Sequence, residues 1–183
     1  MNSLVTIQSK RITLRSLKIE DYLQIFEYSK NLNVTKFLNW DYHKNTEETI
    51  DYLNRIISLY KYFPTSNLAI LLNESETESE KIIGTIGLLP KNPKLPNQYE
   101  LGFVLGENWW GKGYAYEAAN TLISFTNKNF KIEKILAYCA TQNIFSFRLL
   151  EKLGMKREGI IKKHILKNGD FLDSYLYSLQ NIK

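Results

Sequence analysis

Gly106, Gly111 and Gly113 bracket two tryptophans and a lysine in the run GENWWGKGYAYEAANTLISF, the part of the chain best suited to chemistry. A glycine-rich turn that opens a helix presents unpaired backbone N–H groups and the positive end of a helix dipole. Gly111 and Gly113 let the main chain approach a ligand where a Cβ would collide. Phosphate is the natural guest. Gly106 to Lys112 match the first seven positions of a nucleoside-triphosphate loop, but the eighth is Gly113, where Ser or Thr must hold Mg²⁺. The two tryptophans would also crowd a loop that wraps phosphates with its backbone. A dinucleotide loop counted from Gly111 needs Gly or Ala at position 116, and Tyr116 stands there. That reading is rejected.

The composition bounds what must position this loop. The chain has 183 residues, a length that fits one domain over 1–183 with ample core. Hydrophobic residues at 44% and charged residues at 23% exclude wholesale disorder. No stretch of about 18 apolar residues free of charge is present, so no membrane span is expected. Charges come too early in MNSLVTIQSKRITLRSL for a secretory signal. Cys139 is the single cysteine, and with only His43 and His164 for company it cannot build a zinc site. No metal is expected, and a reduced cytoplasmic setting follows. The +5 net charge permits a phosphate-bearing ligand, but basic residues are spread along the chain. Lys162, Lys163 and Lys167 read as a solvated hairpin face, so no direct nucleic-acid contact is expected.

Segment 11–15 alternates as a half-buried strand does, and residues 19–30 carry apolar side chains at helical spacing. An aromatic-rich, non-periodic stretch follows. Thr46 with Glu47 and Glu48 reads as a helix start, and Pro64 stops that helix near Phe63. Residues 67–72, KIIGTIGLL and 99–105 read as strands. The acidic run Glu74, Glu76, Glu78, Glu80 reads as a solvated hairpin loop, and PKNPKLP as a proline-punctuated one. A helix begins near Gly113, KILAYCA (134–140) is a buried strand, and Asn143 to Leu153 is a short helix closed by Gly154. The tail is two strands about an Asn168-Gly169 turn. The order βααβββαβαββ gives an α/β or α+β domain: about seven strands in a mixed, mostly antiparallel sheet, with about four helices.

WWGKGYAYEAANTLISF resembles the coenzyme A pyrophosphate motif of the GNAT superfamily of N-acetyltransferases. Its pattern, Gln/Arg-x-x-Gly-x-Gly/Ala, falls on Trp110, Gly111, Lys112, Gly113, Tyr114 and Ala115. Trp110 departs at the first position, a departure associated with the branch that contains the ribosomal-protein alanine/serine N-terminal acetyltransferases. The strand from Glu100 to Leu105 resembles the same branch, as do Asn143-IF-Ser146-FRLLEKLGMKREG, the closing hairpin and the opening ITLRSLKIEDYLQIF. The similarity spans nearly the whole chain and is most specific from 99 to 177.

The resemblance implies a GNAT fold in which the pantetheine arm of acetyl-coenzyme A lies between 99–105 and 134–140. Main-chain groups of Phe103, Val104 and Leu105 would bond the arm, one N–H polarising the thioester carbonyl. Such a donor is worth about 3 kcal/mol. Asn143 would hold the pantetheine and Ser146 would sit near the sulfur; Asn143 equally suits a helix N-cap, and both roles can hold together. Glu100 would be the general base for the acceptor amine, against an ordinary polar residue on a strand's solvent face. Where many members carry a tyrosine as general acid, Leu150 stands; where some carry a hairpin glutamate, Ile165 stands. His164 receives no catalytic role, while Cys139 and Trp109 read as core. Phe37, Trp40 and Tyr42 would wall the acceptor site or form a satellite core under a loop.

The implied activity is metal-free transfer of acetyl from acetyl-coenzyme A to a primary amine by direct attack in a ternary complex. A protein N-terminus, of ribosomal-protein type, is the first acceptor. A small amine such as a polyamine or antibiotic is the alternative, and a non-catalytic acyl-coenzyme A binder the rival from another class. The chain would act as a monomer or homodimer, away from membranes.

Overall fold

Alternating apolar residues build β2 (Ile12–Ser16), with Ile12 and Leu14 wholly buried, and the short β1 (Thr6–Gln8) pairs along its edge. The computed structural model describes residues 4–73, 80–92 and 95–180. A single 3₁₀ turn over Ile19–Asp21 leads into α1 (Tyr22–Ser29), followed by α2 (Leu32–Thr35) and α3 (Thr46–Leu59). Then come β3 (Leu68–Leu72), β4 (Ile82–Asn92), β5 (Leu95–Leu105), α4 (Tyr114–Asn129), β6 (Lys134–Ala140), α5 (Ile144–Lys152), β7 (Lys156–Lys167) and β8 (Asp170–Gln180). The mixed α/β architecture expected from the sequence is present, with one strand and one helix more than the pattern indicated.

The extra pieces are short. β1 spans three residues, too few to alternate visibly, and α2 spans four, held at its start by Asn31 Oδ1 accepting from the Asn33 N–H. The cap of α3 is Asn45, whose Oδ1 accepts from Glu48 N–H at 3.0 Å; Thr46 is the first helical residue. That helix ends at Leu59, before the proline. β4 and β5 run on into the stretch read as a proline loop, because an outer position tolerates a residue without an N–H. Glu74, Glu76 and Glu78 lie outside the described residues, whereas Glu80 pairs with Arg15 at 2.9 Å. Asn168 and Gly169 both have positive φ and turn the β7–β8 hairpin as expected.

Among the described residues the sheet has eight strands in the order β1-β2-β3-β4-β5-β6-β8-β7, and one pair, β5–β6, is parallel. Tyr28 of α1 meets Thr85 of β4 on one face, and α1 packs on α3 there. Phe147 of α5 meets Tyr175 of β8 on the other face, and α4 lies beside α5. A core of aliphatic side chains, Ile12, Leu53, Ile86, Leu122 and Ile135 among them, fills the layers. Arg15 is buried with its guanidinium on both Asp21 carboxylate oxygens at 2.8 Å, so neither charge is unpaired.

Candidate functional site: a forked sheet and a glycine cradle

β5 and β6 pair only through Gln98, Tyr99 and Glu100 against Lys134, Ile135 and Leu136. Beyond Glu100 the strands separate, each still fully paired on its far side, β5 with β4 and β6 with β8. Every second residue of 101–105 and 137–140 therefore turns its backbone groups to a gap instead of a neighbouring strand. Buried main-chain donors and acceptors need partners, so the gap suits a ligand that carries its own amides.

The wide end of the fork leads into the glycine turn. Gly111 (φ 72°) and Gly113 (φ 82°) are left-handed, and a Cβ at Gly111 would meet nothing within 4 Å. The turn is open above and strained for any other residue. Gly113 stands just before α4, so the first N–H groups of that helix point out of the turn. Trp110 Nε1 donates to the Leu105 carbonyl at 2.8 Å, folding the turn back onto the end of β5. That carbonyl is thereby occupied; Phe103, two residues before it, also turns its backbone to the fork, whereas Val104 turns its own to β4, where its carbonyl oxygen lies against Gly84. Trp109 packs against the core with Tyr114 at its edge and the Lys112 ammonium 5.0 Å from its ring centre.

A brace not legible in the sequence steadies this turn. Glu117 of α4 accepts from the Ser9 hydroxyl at 2.6 Å, the Arg11 N–H at 2.8 Å and Arg11 Nε at 2.6 Å. Arg11 also donates through Nη1 to the Lys112 carbonyl at 3.0 Å and lies over the Tyr114 ring. Burial pushes the Glu117 carboxyl up, but the bonds from Ser9 and Arg11 outweigh it and hold the group below its ordinary value. The β1–β2 turn thus fixes a loop about a hundred residues away.

At the closed end of the fork, strand alternation sorts the side chains. Glu100, Gly102 and Val104 share the α1–α3 face, and Leu136 and Tyr138 join them across the parallel register. Glu100 Oε2 accepts from Lys91 Nζ at 2.6 Å, and that ammonium lies 4.4 Å from the centre of the Tyr138 ring. Burial lowers the Lys91 pKa, yet Glu100 and Tyr138 together offset this and leave it above the ordinary lysine value. The His164 ring lies 5.0 Å from the Tyr138 ring, tilted by 39°. Gly102 is exposed at mid-strand, and nothing lies within 4 Å of where its Cβ would be. By contrast a Cβ at Gly87 would sit 2.0 Å from the Ser66 carbonyl oxygen. Gly87 serves packing; Gly102 keeps a floor clear.

Ser146 and Glu100 are on opposite sides of the fork. Asn143 caps α5, its Oδ1 accepting from Ser146 N–H at 3.1 Å, and the Ser146 hydroxyl bonds the Cys139 thiol on the α4–α5 face. Burial pushes that thiol up to about 11, with Ser146 opposing, so it stays protonated at neutral pH. Leu150 is wholly buried and Ile165 nearly so, and neither could move a proton. Lys91 and Tyr138 were missed; the alternation of β6 in register with Glu100 was the signal for the second. Among the described residues, no group of three or more His, Cys, Asp and Glu could hold a metal. No described helix is long and apolar enough to cross a membrane.

The aromatic stretch before α3 borders an open cavity of about 710 Å³ lined by Trp40, Asp41, His43, Glu48, Asp51, Asn54 and Arg55. Three carboxylates against one arginine give it the sign opposite to the whole chain. The β7–β8 hairpin reaches this stretch, where Lys167 pairs with Asp41 at 3.0 Å and donates to the Trp40 carbonyl. Tyr42 is exposed.

A fork between parallel strands, with a glycine turn at its wide end, suits a long ligand with amides in its body and phosphate at one end. The acetyltransferase (GNAT) domain model matches residues 11–156, and the chain belongs to that family. An uncharacterized N-acetyltransferase of Bacillus subtilis, YnaD, is 30% identical over 173 residues, covering 94% of this chain and 95% of that protein. The ribosomal protein uS5 alanine N-acetyltransferase of Escherichia coli is 34% identical over 79 residues, 43% of this chain and 41% of that one. A GNAT-family acetyltransferase structure from Bacillus anthracis superposes with a TM-score of 0.83 at 27% identity, covering 96% of this chain and 98% of that one.

Proposed function

We propose that this acetyltransferase moves an acetyl group from acetyl-coenzyme A to the α-amine of a protein N-terminus, of the ribosomal-protein kind. The observation that carries the reading is the fork, with phosphate-binding backbone at one end and a carboxylate at the other. Gly111, Lys112, Gly113, Tyr114 and Ala115 would cradle the pyrophosphate through N–H groups and the dipole of α4, with Trp110 holding the turn closed. Phe103 would bond the pantetheine along the open edge of β5, and Asn143 would meet the arm from the start of α5. The arm supplies an activated acetyl group at its far end, which this direction of entry brings toward Glu100.

An amine attacks only when neutral. An α-amine has a pKa of about 8 and a lysine of about 10.4, so a proton must leave in either case. Glu100, more than a third exposed on the open face, is placed to take it directly or through water. Ser146, beside Cys139 on the other face, would sit near the departing sulfur. A thiol of ordinary acidity departs without a strong acid, so Leu150 in place of a tyrosine is no obstacle. The carboxylates of the cavity beside α3 support a cationic acceptor, and the local identity with the uS5 alanine N-acetyltransferase supports a protein one. A small polyamine or antibiotic amine would also suit three carboxylates, and is the second reading. We place the enzyme in the cytoplasm, as one domain acting without metal.

The test is acetyl transfer to short peptides with free N-termini, against polyamines and aminoglycosides. Transfer to peptides with free α-amines, lost when the N-terminus is blocked, supports the proposal; turnover of the small amines alone overturns the acceptor. Glu100→Gln is expected to lower kcat by about 10²- to 10³-fold, most at low pH, with acetyl-coenzyme A affinity unchanged. Unchanged turnover across pH would remove Glu100 from the reaction.

A further inference from the structure

We infer that Lys91 is a self-acetylation site: the enzyme's own amine, held at the closed end of the fork by Glu100 and Tyr138, is acetylated in cis. The inference rests on the acetyl-coenzyme A reading above and names a modification of the same site. Lys91 bridges the two strands that part, with its Nζ 2.6 Å from Glu100 on β5 and 4.4 Å from the ring of Tyr138 on β6. An arm entering from the glycine cradle runs toward this point, so its acyl end meets the Lys91 amine beside a carboxylate able to take a proton. A carboxylate and an aromatic face are also what an acceptor ammonium would need. Lys91 occupies the place of the substrate.

The step balances without an added oxidant or reductant. The Lys91 ammonium first gives up one proton to solvent. The neutral nitrogen then bonds the acetyl carbon as the carbon–sulfur bond breaks; its second proton goes to Glu100, and the departing thiolate takes one proton back from solvent. The products are Nε-acetyl-Lys91 and coenzyme A. The modified side chain has no charge, so Glu100 and the Tyr138 face are released to an external amine. Lys91 lies on the outer end of β4, with its side chain 38% exposed, where movement toward or away from the fork disturbs no core packing.

The purified protein is incubated with acetyl-coenzyme A and no acceptor, and its peptides are followed by mass spectrometry. Lys91 is expected to gain one acetyl group at least tenfold faster than the exposed Lys36 and Lys128, at a fractional rate independent of protein concentration. Glu100→Gln is expected to slow labelling of Lys91 at least tenfold and leave the other two lysines unchanged. Added acceptor peptide should slow Lys91 labelling by competition. Lys91 labelling no faster than Lys36 and Lys128, in protein that binds acetyl-coenzyme A and acetylates an added amine, would overturn self-acetylation alone. Absence of acetyl-coenzyme A binding would overturn the cofactor reading and this inference with it.

Discussion

β5 has two edges with different fates. Along one, pairing with β4 continues from Leu95 to Leu105; along the other, pairing with β6 stops after Glu100. The residues are the same, so the difference comes from the partners. β6 is drawn toward β8, with which it pairs along its full length, and α5 follows it on the opposite face from Glu100. The closed edge gives stability. The open edge leaves alternate β5 residues, Leu101 and Phe103, with backbone groups to offer and two chemically different ends, a cradle for phosphate and a carboxylate beside two aromatic rings. In this fold, function is placed where a sheet stops hydrogen bonding to itself.

Substitutions at the two ends separate their roles, and beside the loss of turnover expected for Glu100→Gln the largest effect is at the cradle. Gly113→Val must hold a β-branched residue at φ 82° and push its side chain toward Arg11, whose Nη2 is 3.4 Å from the Cβ position. Strain of about 1–2 kcal/mol, with the cradle filled, should weaken acetyl-coenzyme A at least tenfold by calorimetry. Intact affinity would sink the loop assignment. Gly102→Val sharpens the other end: the acceptor KM should rise roughly tenfold while acetyl-coenzyme A affinity and thermal stability hold or improve, because valine suits a strand. Equal kinetics would show that the floor beside Glu100 is not used by the acceptor.

Smaller effects test the supports. Asn143→Ala removes the cap of α5 and should cost about 1 kcal/mol in denaturant unfolding, with a further loss of acetyl-coenzyme A affinity if Asn143 also meets the arm. Stability loss alone would leave it a cap. Glu117 has a lowered folded pKa, so its bracing is fully present above the ordinary glutamate value of about 4.3 and is lost as pH falls through the lower folded value. The stability advantage of wild type over Glu117→Gln should therefore shrink on acidification below that range, followed by tryptophan fluorescence. An advantage that persists into acid would mean that Glu117 does not act through its charge.

The elements that matter to the site were legible where periodicity or turn chemistry was strong. KILAYCA, the helix opened by Gly113 and the Asn168-Gly169 hairpin each carry a local rule that the tertiary structure obeys. Contacts between distant segments left no such trace. Nothing in Ser9 or Arg11 announces that both converge on Glu117, and nothing in a proline-rich stretch announces that Lys91 leans over Glu100. The net charge of +5 does not carry over to the cavity, which takes its sign from its lining, here Asp41, Glu48 and Asp51. Glu100 and Ser146 stood as two members of one site; strand alternation puts them on opposite faces, a fact of register that no motif carries.

The central claim is that the fork and its glycine cradle bind acetyl-coenzyme A. Calorimetric titration of the purified protein with acetyl-coenzyme A, with ATP–Mg²⁺ as the control, tests it directly. Saturable binding of acetyl-coenzyme A with no heat from ATP–Mg²⁺ is the predicted result. Binding of ATP–Mg²⁺ alone, or of neither compound, would contradict it.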